Sequence, residues 1–476
     1  MRHILALAIA LCLIAGCAAL PVPATSAESS GDSPDWTVHG SIRINGNGDF
    51  TAERGVISGA GTKGDPWVIG GLDINGTDHG CCIYIGNTTD FFVVRDCRLT
   101  SAAVCVSWPY YPNAGIALFN VSMGTLTGNT VSNNDYGIYM ENCTYNSVIG
   151  NSVVSSRVTG IQLNRSDGNS VLQNSIEGCA EWCGIYLVYS CNNSIVENYV
   201  SDVHVTGIYL EFFSDCNYVG RNTVRETGYG IEVLLSSDNI ITENSVRDTR
   251  MRWVPGFIDW YGGYGILLQM SSFNNSIHGN MIDGSERYGI YIVYYCNFNF
   301  VVNNTVSNNA VGIHIDSSVG NRIYFNNLMN NGLHAYDCGP NIWNDVYPYG
   351  GNYWDDYPGN DGFSGPDQNI TGSDGIGDSP YDSIGGDAGA IDMFPLMSQY
   401  NGTHPHSDEP AAEIVEETRE SEDTDVSESV QEMPAETEEA SVTRTGPGLG
   451  FLFAIVAVSL LSSSMVVVMR RRSRKH

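Results

Sequence analysis

Short apolar runs alternate with turn residues along most of this chain, in a unit that repeats about every 23 residues. Each unit begins with a Gly-Ile step. The nine steps start at Gly115, Gly137, Gly160, Gly184, Gly207, Gly230, Gly265, Gly289 and Gly312. A unit this small cannot bury its apolar face alone, so neighbouring units must stack. The repeat therefore predicts a solenoid.

An Asn-x-x-x-x-Asn element follows the Gly-Ile step at a nearly constant distance in eight units. The pairs are Asn146/Asn151, Asn169/Asn174, Asn193/Asn198, Asn217/Asn222, Asn239/Asn244, Asn275/Asn280, Asn299/Asn304 and Asn321/Asn326. Asparagine tolerates the left-handed backbone region of a corner, and its amide can donate to one neighbouring unit while it accepts from the other. We expect a ladder of stacked asparagines.

The residues between these markers have strand chemistry. Ile, Val and Tyr alternate with polar residues over two or three very short stretches in each unit, as in residues 184–200. The fixed leucine offsets of leucine-rich repeats and the 3.6-residue period of helical repeats are both missing. The sequence predicts an all-β, right-handed parallel β-helix of about ten coils with three strands each, stacked about 4.8 Å apart.

The strand that begins at each Gly-Ile step presents one set of side chains to solvent. Its first and third residues after the glycine are apolar and point inward, so the second and fourth point outward. The outward residues are Tyr139, Tyr186, Tyr209, Glu232, Tyr291 and His314 at the second position, and Glu141, Glu211, Gln269 and Asp316 at the fourth. Aromatic faces pack on sugar rings, and carboxylates bind hydroxyl groups. The pattern predicts carbohydrate binding by Tyr139, Tyr186, Tyr209, Tyr291 and Glu141.

Two insertions precede Gly-Ile steps and project from the same edge of this face. One contains Trp108, and the other runs from Trp253 to Trp260. Six coils separate the following Gly-Ile steps, which at β-sheet spacing is about 29 Å. We expect these three tryptophans to contact the ligand as the walls of a long groove.

Catalysis on this face would require ionisable groups on neighbouring coils. Glu211 and Glu232 meet this condition, and such a pair would suit a glycoside hydrolase or a polysaccharide lyase. The calcium-binding aspartate cluster and the Gly-His-Gly of pectin-cleaving β-helices do not occur, and Asp78-His79-Gly80 is the nearest approach. The leading interpretation is a structural or recognition module, with enzymatic activity as the alternative.

Residues 341–400 are rich in Asp, Gly and aromatic residues and are predicted to close the column. Trp354, Tyr357, Phe363 and Phe394 are expected to cover its open end, since a solenoid needs a cap. Carboxylates spaced by Gly and Asn also suit Ca²⁺, although the same residues make ordinary tight turns. The predicted calcium ligands are Asp355, Asp356, Asp361, Asp374 and Asp378.

The ends of the chain indicate export. Residues 1–27 are typical of a secretory signal peptide, with a lipoprotein-like box at Cys17 as an alternative. Residues 28–64 are assigned to an N-terminal cap, 65–340 to the repeats and 401–446 to an acidic stalk without a core. The uncharged segment 447–469 can span a bilayer, and the basic tail 470–476 predicts an extracellular β-helix.

Charge and cysteine content limit the partners further. The net charge of −31 over 476 residues argues against nucleic acid, because no basic stripe is present. Eleven cysteines follow the predicted signal peptide, and disulfides between Cys191 and Cys216 or Cys179 and Cys183 compete with buried packing at coil corners. Ten Asn-x-Ser/Thr sequons would permit glycosylation.

Three stretches resemble archaeal cell-surface proteins with NosD-like β-helix repeats, a class also described as carbohydrate-binding and sugar-hydrolysis domains. They are residues 59–97, the repeats in 115–331, and the closing motifs GNYWDDYPGNDG, SDGIGDSPY and IDMFPLM within 351–397. The C-terminus resembles a PGF-type surface anchor, which implies processing to a lipid anchor. The family name implies copper, but the histidines are scattered and form no cluster typical of a copper site. Those on the repeats include His79, His204, His278, His314 and His334.

Overall fold

The computed structural model describes residues 36–77, 80–102, 113–253 and 260–402. The predicted signal peptide, the membrane segment 447–469, the basic tail and nearly all of the acidic stalk lie outside these residues, as do Trp108 and His79. None of the helical segments in the described part of the chain has the length and apolar character of a membrane span.

Three long sheets form the column, and they confirm the predicted all-β solenoid of the right-handed parallel type. The first sheet has 12 strands and contains the Gly-Ile steps. Its strands are Ile42–Asn45, Cys81–Thr88, Ala114–Val121, Tyr136–Glu141, Thr159–Asn164, Cys183–Val188, Thr206–Glu211, Tyr229–Leu234, Tyr264–Gln269, Tyr288–Val293, Val311–Asp316 and Leu333–Asp337. Stacking thus already begins within the predicted N-terminal cap.

The other two sheets complete each coil with strands of two to four residues. The second sheet contains Val56–Ser58, Trp67–Gly70, Phe92–Arg95, Gly124–Thr127, Ser147–Ile149, Ser170–Leu172, Ser194–Val196, Tyr218–Gly220, Ile240–Thr242, Ser276–His278, Phe300–Val302 and Arg322–Tyr324. The third contains Thr37–His39, Leu72–Asn75, Arg98–Thr100, Thr130–Ser132, Ser152–Val154, Ser175–Glu177, Tyr199–Ser201, Thr223–Arg225, Ser245–Arg247, Met281–Asp283, Thr305–Ser307, Asn327–Met329 and Tyr353–Trp354.

Few elements lie outside the three sheets. Two 3-10 helices, Asn47–Asp49 and Ala52–Arg54, precede the second sheet. Two antiparallel hairpins pair Met251–Trp253 with Trp260–Gly262 and Phe363–Ser364 with Ile370–Thr371. Within the second sheet, Val56–Ser58 also pairs antiparallel with Trp67–Gly70.

The glycine of each Gly-Ile step is required by the narrow core. A Cβ atom built on Gly207 would lie 2.3 Å from Cγ1 of Val224 and 2.7 Å from the carbonyl oxygen of Gly230. The other glycines from Gly115 to Gly289 meet the Val or Ile of the third sheet in the same way, as Gly184 meets Val200 at 2.5 Å, whereas a Cβ on Gly312 would lie 2.5 Å from the carbonyl oxygen of His334. The following isoleucine fills the core completely, and Ile208 is 0% exposed. Two adjacent inward residues fit only because the first has no side chain.

The asparagines form two buried columns that link successive coils, as predicted. The side-chain Nδ2 of Asn198 donates to Oδ1 of Asn222 at 3.0 Å and to the carbonyl oxygen of Val171 at 2.9 Å. The Oδ1 of Asn198 accepts from both the backbone N–H and Nδ2 of Asn174, at 3.0 Å each. Each amide therefore satisfies backbone groups that would otherwise be unpaired at a buried corner.

One expectation about these corners was wrong. The ladder asparagines do not adopt the left-handed conformation; the residue before each of them does, for example Glu197 (φ 56°) before Asn198 and Arg221 (φ 53°) before Asn222. The left-handed residue turns the chain, and the turn directs the next side chain inward. Asparagine is therefore selected at these columns for its amide and not for its backbone freedom.

The C-terminal segment closes the column around two tryptophans. Trp354 is 1% exposed and stacks on Tyr381 with ring centroids 4.1 Å apart, and Trp343 is equally buried. The carboxylate of Asp392 accepts from the Trp354 indole at 2.9 Å and from the backbone N–H of the last ladder residue, Asn352, at 2.7 Å. The predicted plug is confirmed for Trp354, whereas Phe363 is 44% exposed.

Candidate functional site

The outward side chains of the first sheet form separate aromatic clusters. In the first cluster, the rings of Tyr136 and Tyr139 meet edge to face at 5.5 Å. The hydroxyl of Tyr139 donates to Glu141 at 3.0 Å and accepts from Asn164 at 3.3 Å. Burial raises the pKa of Tyr139 well above its ordinary value. The two predicted ligand-binding residues, Tyr139 and Glu141, are thus brought together and are only half-buried.

The second cluster is more buried than its outward position predicts. Tyr186 and Tyr209 stack with centroids 5.3 Å apart, and both hydroxyls donate to Glu211, that of Tyr209 at 3.1 Å. Tyr209 is 5% exposed because it packs with Cys183 and Leu234 in an apolar layer outside the sheet. Tyr209 is therefore unavailable as an open sugar platform, and Tyr186 is available only in part.

Glu232 lies one coil beyond Tyr209, and the two residues are direct neighbours on adjacent strands of the first sheet. Its carboxylate accepts from the Thr206 hydroxyl at 2.7 Å and from the Gln269 amide at 2.6 Å. Burial raises its pKa to about 7, and the nearby charge of Glu211 adds to this shift. Burial also raises the pKa of Glu211, while the hydroxyls of Tyr186 and Tyr209 oppose the rise.

A third cluster surrounds Tyr291 and contains residues that the sequence pattern did not single out. The rings of Tyr264 and Tyr288 stack at 5.2 Å, Tyr291 lies 4.6 Å from Tyr288, and His314 lies 5.1 Å from Tyr291. Burial lowers the pKa of His314. Tyr264 and Tyr288 directly precede the glycine of their Gly-Ile step, a position that also faces outward and that the sequence analysis left out.

An exposed aromatic surface lies where the first sheet ends. The fifth residue after the glycine is apolar in five successive coils, and these residues form one column: Tyr189, Phe212, Leu235, Met270 and Tyr294. In two coils the next residue is also aromatic, Phe213 (62% exposed) and Tyr295 (51% exposed). We call these seven residues the apolar corner. Their recurrence five residues after the glycine is visible in the sequence and was missed.

The two insertions are described only in part. Trp108 lies outside the described residues. Residues Met251–Trp253 and Trp260–Gly262 form an antiparallel hairpin in which Trp253 pairs with Trp260. This hairpin directly precedes the Gly265 strand, so it lies at an edge of the first sheet, as expected for an insertion at this place.

The five predicted calcium ligands do not converge. Asp361 accepts from the backbone N–H groups of Asp374 and Gly375 at 3.0 and 2.9 Å. Asp378 accepts from the backbone N–H groups of Gly362 and Phe363. These carboxylates therefore stabilise tight turns, which was the other interpretation. The described ranges contain one compact group of three ionisable side chains that could bind a metal ion, and it consists of His334, Asp355 and Asp356. Two of the five predicted calcium ligands thus belong to it.

That group joins the cap to the last coil through a close contact between His334 and Asp355. The Nε2 atom of His334 lies 2.7 Å from Asp355 and 3.5 Å from Asp356. Nδ1 of His334 lies 3.4 Å from the side-chain amide of Asn331. The Oδ1 of that amide already accepts from Asn309, so its Nδ2 is the atom that faces the ring. Nε2 consequently carries the proton and donates to Asp355. The group offers one imidazole nitrogen and two carboxylates, and it lacks the thiolate or thioether ligands that select Cu(I).

The cysteines offer no soft site either. All ten described cysteines are free thiols, so the expected pairs Cys191–Cys216 and Cys179–Cys183 are not bonded. Burial raises the pKa of Cys97 to about 11 and that of Cys143 to about 12. A buried neutral thiol behaves as a small apolar group, which agrees with the packing interpretation for Cys143 and Cys296, whereas Cys216 is exposed.

A cleft of about 680 Å³ opens in the cap, far from the tyrosines of the early coils. It is lined by Tyr357, Asn360, Asp378, Tyr381, Asp382 and Ile391, among others. Asp378 is already engaged by two backbone N–H groups. The exposed aromatic side chains of the apolar corner lie at the end of the first sheet and not in this cleft. We therefore place the candidate site on the first sheet.

Comparison with known proteins gives a family match. The family model described as periplasmic copper-binding protein (NosD) matches residues 71–206 and 200–359, more than half of the chain. A search of curated protein sequences finds no significant match.

Several solved structures share the type of fold. The periplasmic alginate epimerase AlgG is 15% identical (TM-score 0.39; 64% of this chain, 85% of that chain). The A-module of Azotobacter vinelandii mannuronan C-5 epimerase AlgE6 is 10% identical (0.40; 58% and 85%). DFA-IIIase from Arthrobacter chlorophenolicus A6 in complex with GF2 is 15% identical (0.39; 54% and 69%). Likeness at this level carries no information about activity.

Proposed function

This chain belongs to the NosD family, and its described residues form no cysteine cluster of the kind that binds Cu(I); we propose that it binds an extended glycan along the first sheet and the apolar corner. The binding residues are those of the apolar corner together with Tyr139, Glu141, Tyr186 and Tyr291. Glycan rings would pack on the exposed aromatic faces, and their hydroxyl groups would bind the neighbouring polar side chains.

The observation that carries this proposal is the backbone conformation of the apolar corner. Tyr189 and Tyr294 are exposed and have φ of 51° and 59°, a region that bulky residues rarely adopt. In earlier coils asparagine holds the same position, as at Asn120 and Asn142, and it tolerates this region easily. Bulky aromatic residues that are both strained and exposed stabilise neither the turn nor the core, which points to a functional surface.

Binding explains the buried carboxylates better than catalysis does. Glu211 and Glu232 are each 6% exposed, and every carboxylate oxygen accepts a hydrogen bond. A catalytic carboxylate must reach the glycosidic bond, whereas Glu211 holds the hydroxyls of Tyr186 and Tyr209 and Glu232 links Thr206 to Gln269. We therefore assign them a positioning role, with hydrolysis or lyase activity as the alternative.

The experiment compares glycan-array binding of the full chain with that of a Tyr189→Ala/Phe213→Ala variant. Tyr199→Ala is the matched control, since Tyr199 is also exposed (37%) but lies on the third sheet. We expect at least a tenfold loss of affinity for the double variant, with an unchanged Tm, and no loss for the control. Equal binding by all three proteins, or no binding by any, would refute the proposal.

We also propose that the protein acts outside the cytoplasm. The family description is periplasmic, and the predicted signal peptide and segment 447–469 are consistent with export and anchoring. A chain that ends at residue 446 should appear in the soluble extracellular fraction, while the full chain stays with the membrane. Retention of both in the cytoplasm would contradict this.

A further inference from the structure

We infer that the glycan bound at the apolar corner is an uncharged polymer and that polyuronates are excluded. This inference rests on the proposed function and adds the class of ligand. It follows from the charged side chains that lie in three of the corner turns.

Three carboxylates and one guanidinium stand at the corner turns, within residues 142–145, 165–168, 189–192, 212–216, 235–238, 270–274 and 294–298. They are Asp167, Asp215, Asp238 and Arg165. Arg165 lies over the ring of Tyr189, with its guanidinium carbon 5.3 Å from the centroid. The corner therefore carries a net negative charge, in agreement with the acidity of the whole chain.

These carboxylates are held in place by the stacking of the coils. Asp167 accepts from the backbone N–H of Cys191 at 2.7 Å, and Asp215 accepts from that of Ser237 at 2.7 Å. Asp215 and Asp238 lie on successive coils and are close enough to repel: burial raises the pKa of Asp215, and the charge of Asp238 raises it further. A side chain tied to the next coil cannot swing away from an approaching anion.

A polyuronate would bring one more carboxylate with each ring to this surface. Two like charges close together repel each other, and they do so more strongly beside apolar groups than in water. The column spans five coils, about 19 Å at β-sheet spacing, so several rings would meet the fixed aspartates at once. An uncharged glycan avoids this repulsion and still offers hydroxyl groups to the exposed amide of Asn192.

The test is isothermal titration of the full chain, with EDTA present, in 20 mM and 500 mM NaCl. The probes are the uncharged cellohexaose, mannohexaose and xylohexaose and the acidic hexagalacturonate and hexamannuronate. We expect an uncharged probe to bind with little dependence on salt, and the acidic probes to bind at least tenfold more weakly, with the gap narrowing at high salt. Acidic probes that bind as tightly as uncharged ones in 20 mM NaCl would overturn the inference.

Two variants separate charge from folding. Asp215→Asn/Asp238→Asn should strengthen binding of the acidic probes and leave that of the uncharged probe unchanged. Asp167→Asn alone should act in the same direction and disturbs fewer contacts. If both variants bind the acidic probes with the affinity of the unmodified chain, charge at the corner does not exclude polyuronates. Failure of every glycan, acidic or uncharged, on the array would instead refute the proposed function itself.

Discussion

Glu211 and Glu232 occupy outward positions on neighbouring coils of the first sheet, yet each is only 6% exposed and each accepts two hydrogen bonds from side chains. The second apolar layer outside the sheet, with Tyr209, Leu234 and Cys183, accounts for their burial. Two buried carboxylates this close together make the stability of the fold depend on pH.

The first prediction concerns that dependence. The pKa of Glu232 is raised from 4.5 to about 7. Below pH 4.5 the group is protonated in both folded and unfolded chains, and between pH 4.5 and 7 only the folded chain keeps the proton, so stability falls as the pH rises. The cost at pH 8 is on the order of 3 kcal/mol. Glu232→Gln should therefore melt above wild type at pH 8, with the gap closing towards pH 4.5, as followed by calorimetry. Glu177→Gln, at an exposed position, should not melt above wild type at pH 8.

The second prediction concerns the asparagine ladder. Asn198→Ala leaves the backbone N–H and Nδ2 of Asn174 and the carbonyl oxygen of Val171 without their partner. Each unmade buried bond costs about 1–3 kcal/mol, so the Tm should fall sharply. The exposed Asn369→Ala is the control and should leave the Tm within about 1 °C. A small effect of Asn198→Ala would show that water replaces the amide.

The third prediction concerns the glycine of the Gly-Ile step. In Gly207→Ala the new methyl group would stand 2.3 Å from Val224 and 2.7 Å from a backbone oxygen. Overpacking of this kind costs about 1–3 kcal/mol, and more where backbone must move. Thermal unfolding should begin at lower temperature than in Gly64→Ala, whose Cβ would meet no atom within 4 Å. Equal Tm values for the two variants would contradict the close-packing argument.

The fourth prediction concerns the cap. Asp392 is buried, and its carboxylate accepts from the Trp354 indole and from the backbone N–H groups of Asn352 and Phe394. Asp392→Asn turns an NH₂ group towards these donors, which should destabilise the cap by about 3 kcal/mol. Because Trp343 and Trp354 lie beside it, the emission of tryptophan should shift to longer wavelength before the sheets melt. Asp382→Asn, on the exposed cleft, should show no such early shift.

The fifth prediction concerns metals. The Nε2 atom of His334 donates to Asp355, and Asp361 and Asp378 accept from backbone N–H groups. Micromolar Cu²⁺ or Ca²⁺ should therefore leave the Tm unchanged, since a ligand bound only to the folded state would raise it. A rise in Tm that His334→Ala abolishes would show that the cap binds the ion after all.

Part of the candidate site was visible in the sequence. The outward alternation correctly placed Tyr139 beside Glu141 and Glu211 near Glu232, because strand geometry alone determines which side of a sheet a residue faces. The direction in which a side chain points does not determine how much of it is exposed to solvent. Tyr209 and Glu232 point outward and are buried, since neighbouring side chains form a second layer over them. The apolar corner was missed because it lies beyond the strand, where alternation no longer applies.

The sequence by itself determined the period, the three strands of each coil, the glycine at each Gly-Ile step and the two asparagine columns. These features repeat, and each reflects a local requirement that every coil meets in the same way. The three-dimensional packing was needed to show which outward side chains reach solvent, that Asp361 and Asp378 accept hydrogen bonds from backbone N–H groups, and that His334 pairs with Asp355. Those outcomes depend on contacts between residues distant in the chain, which a repeat pattern does not contain.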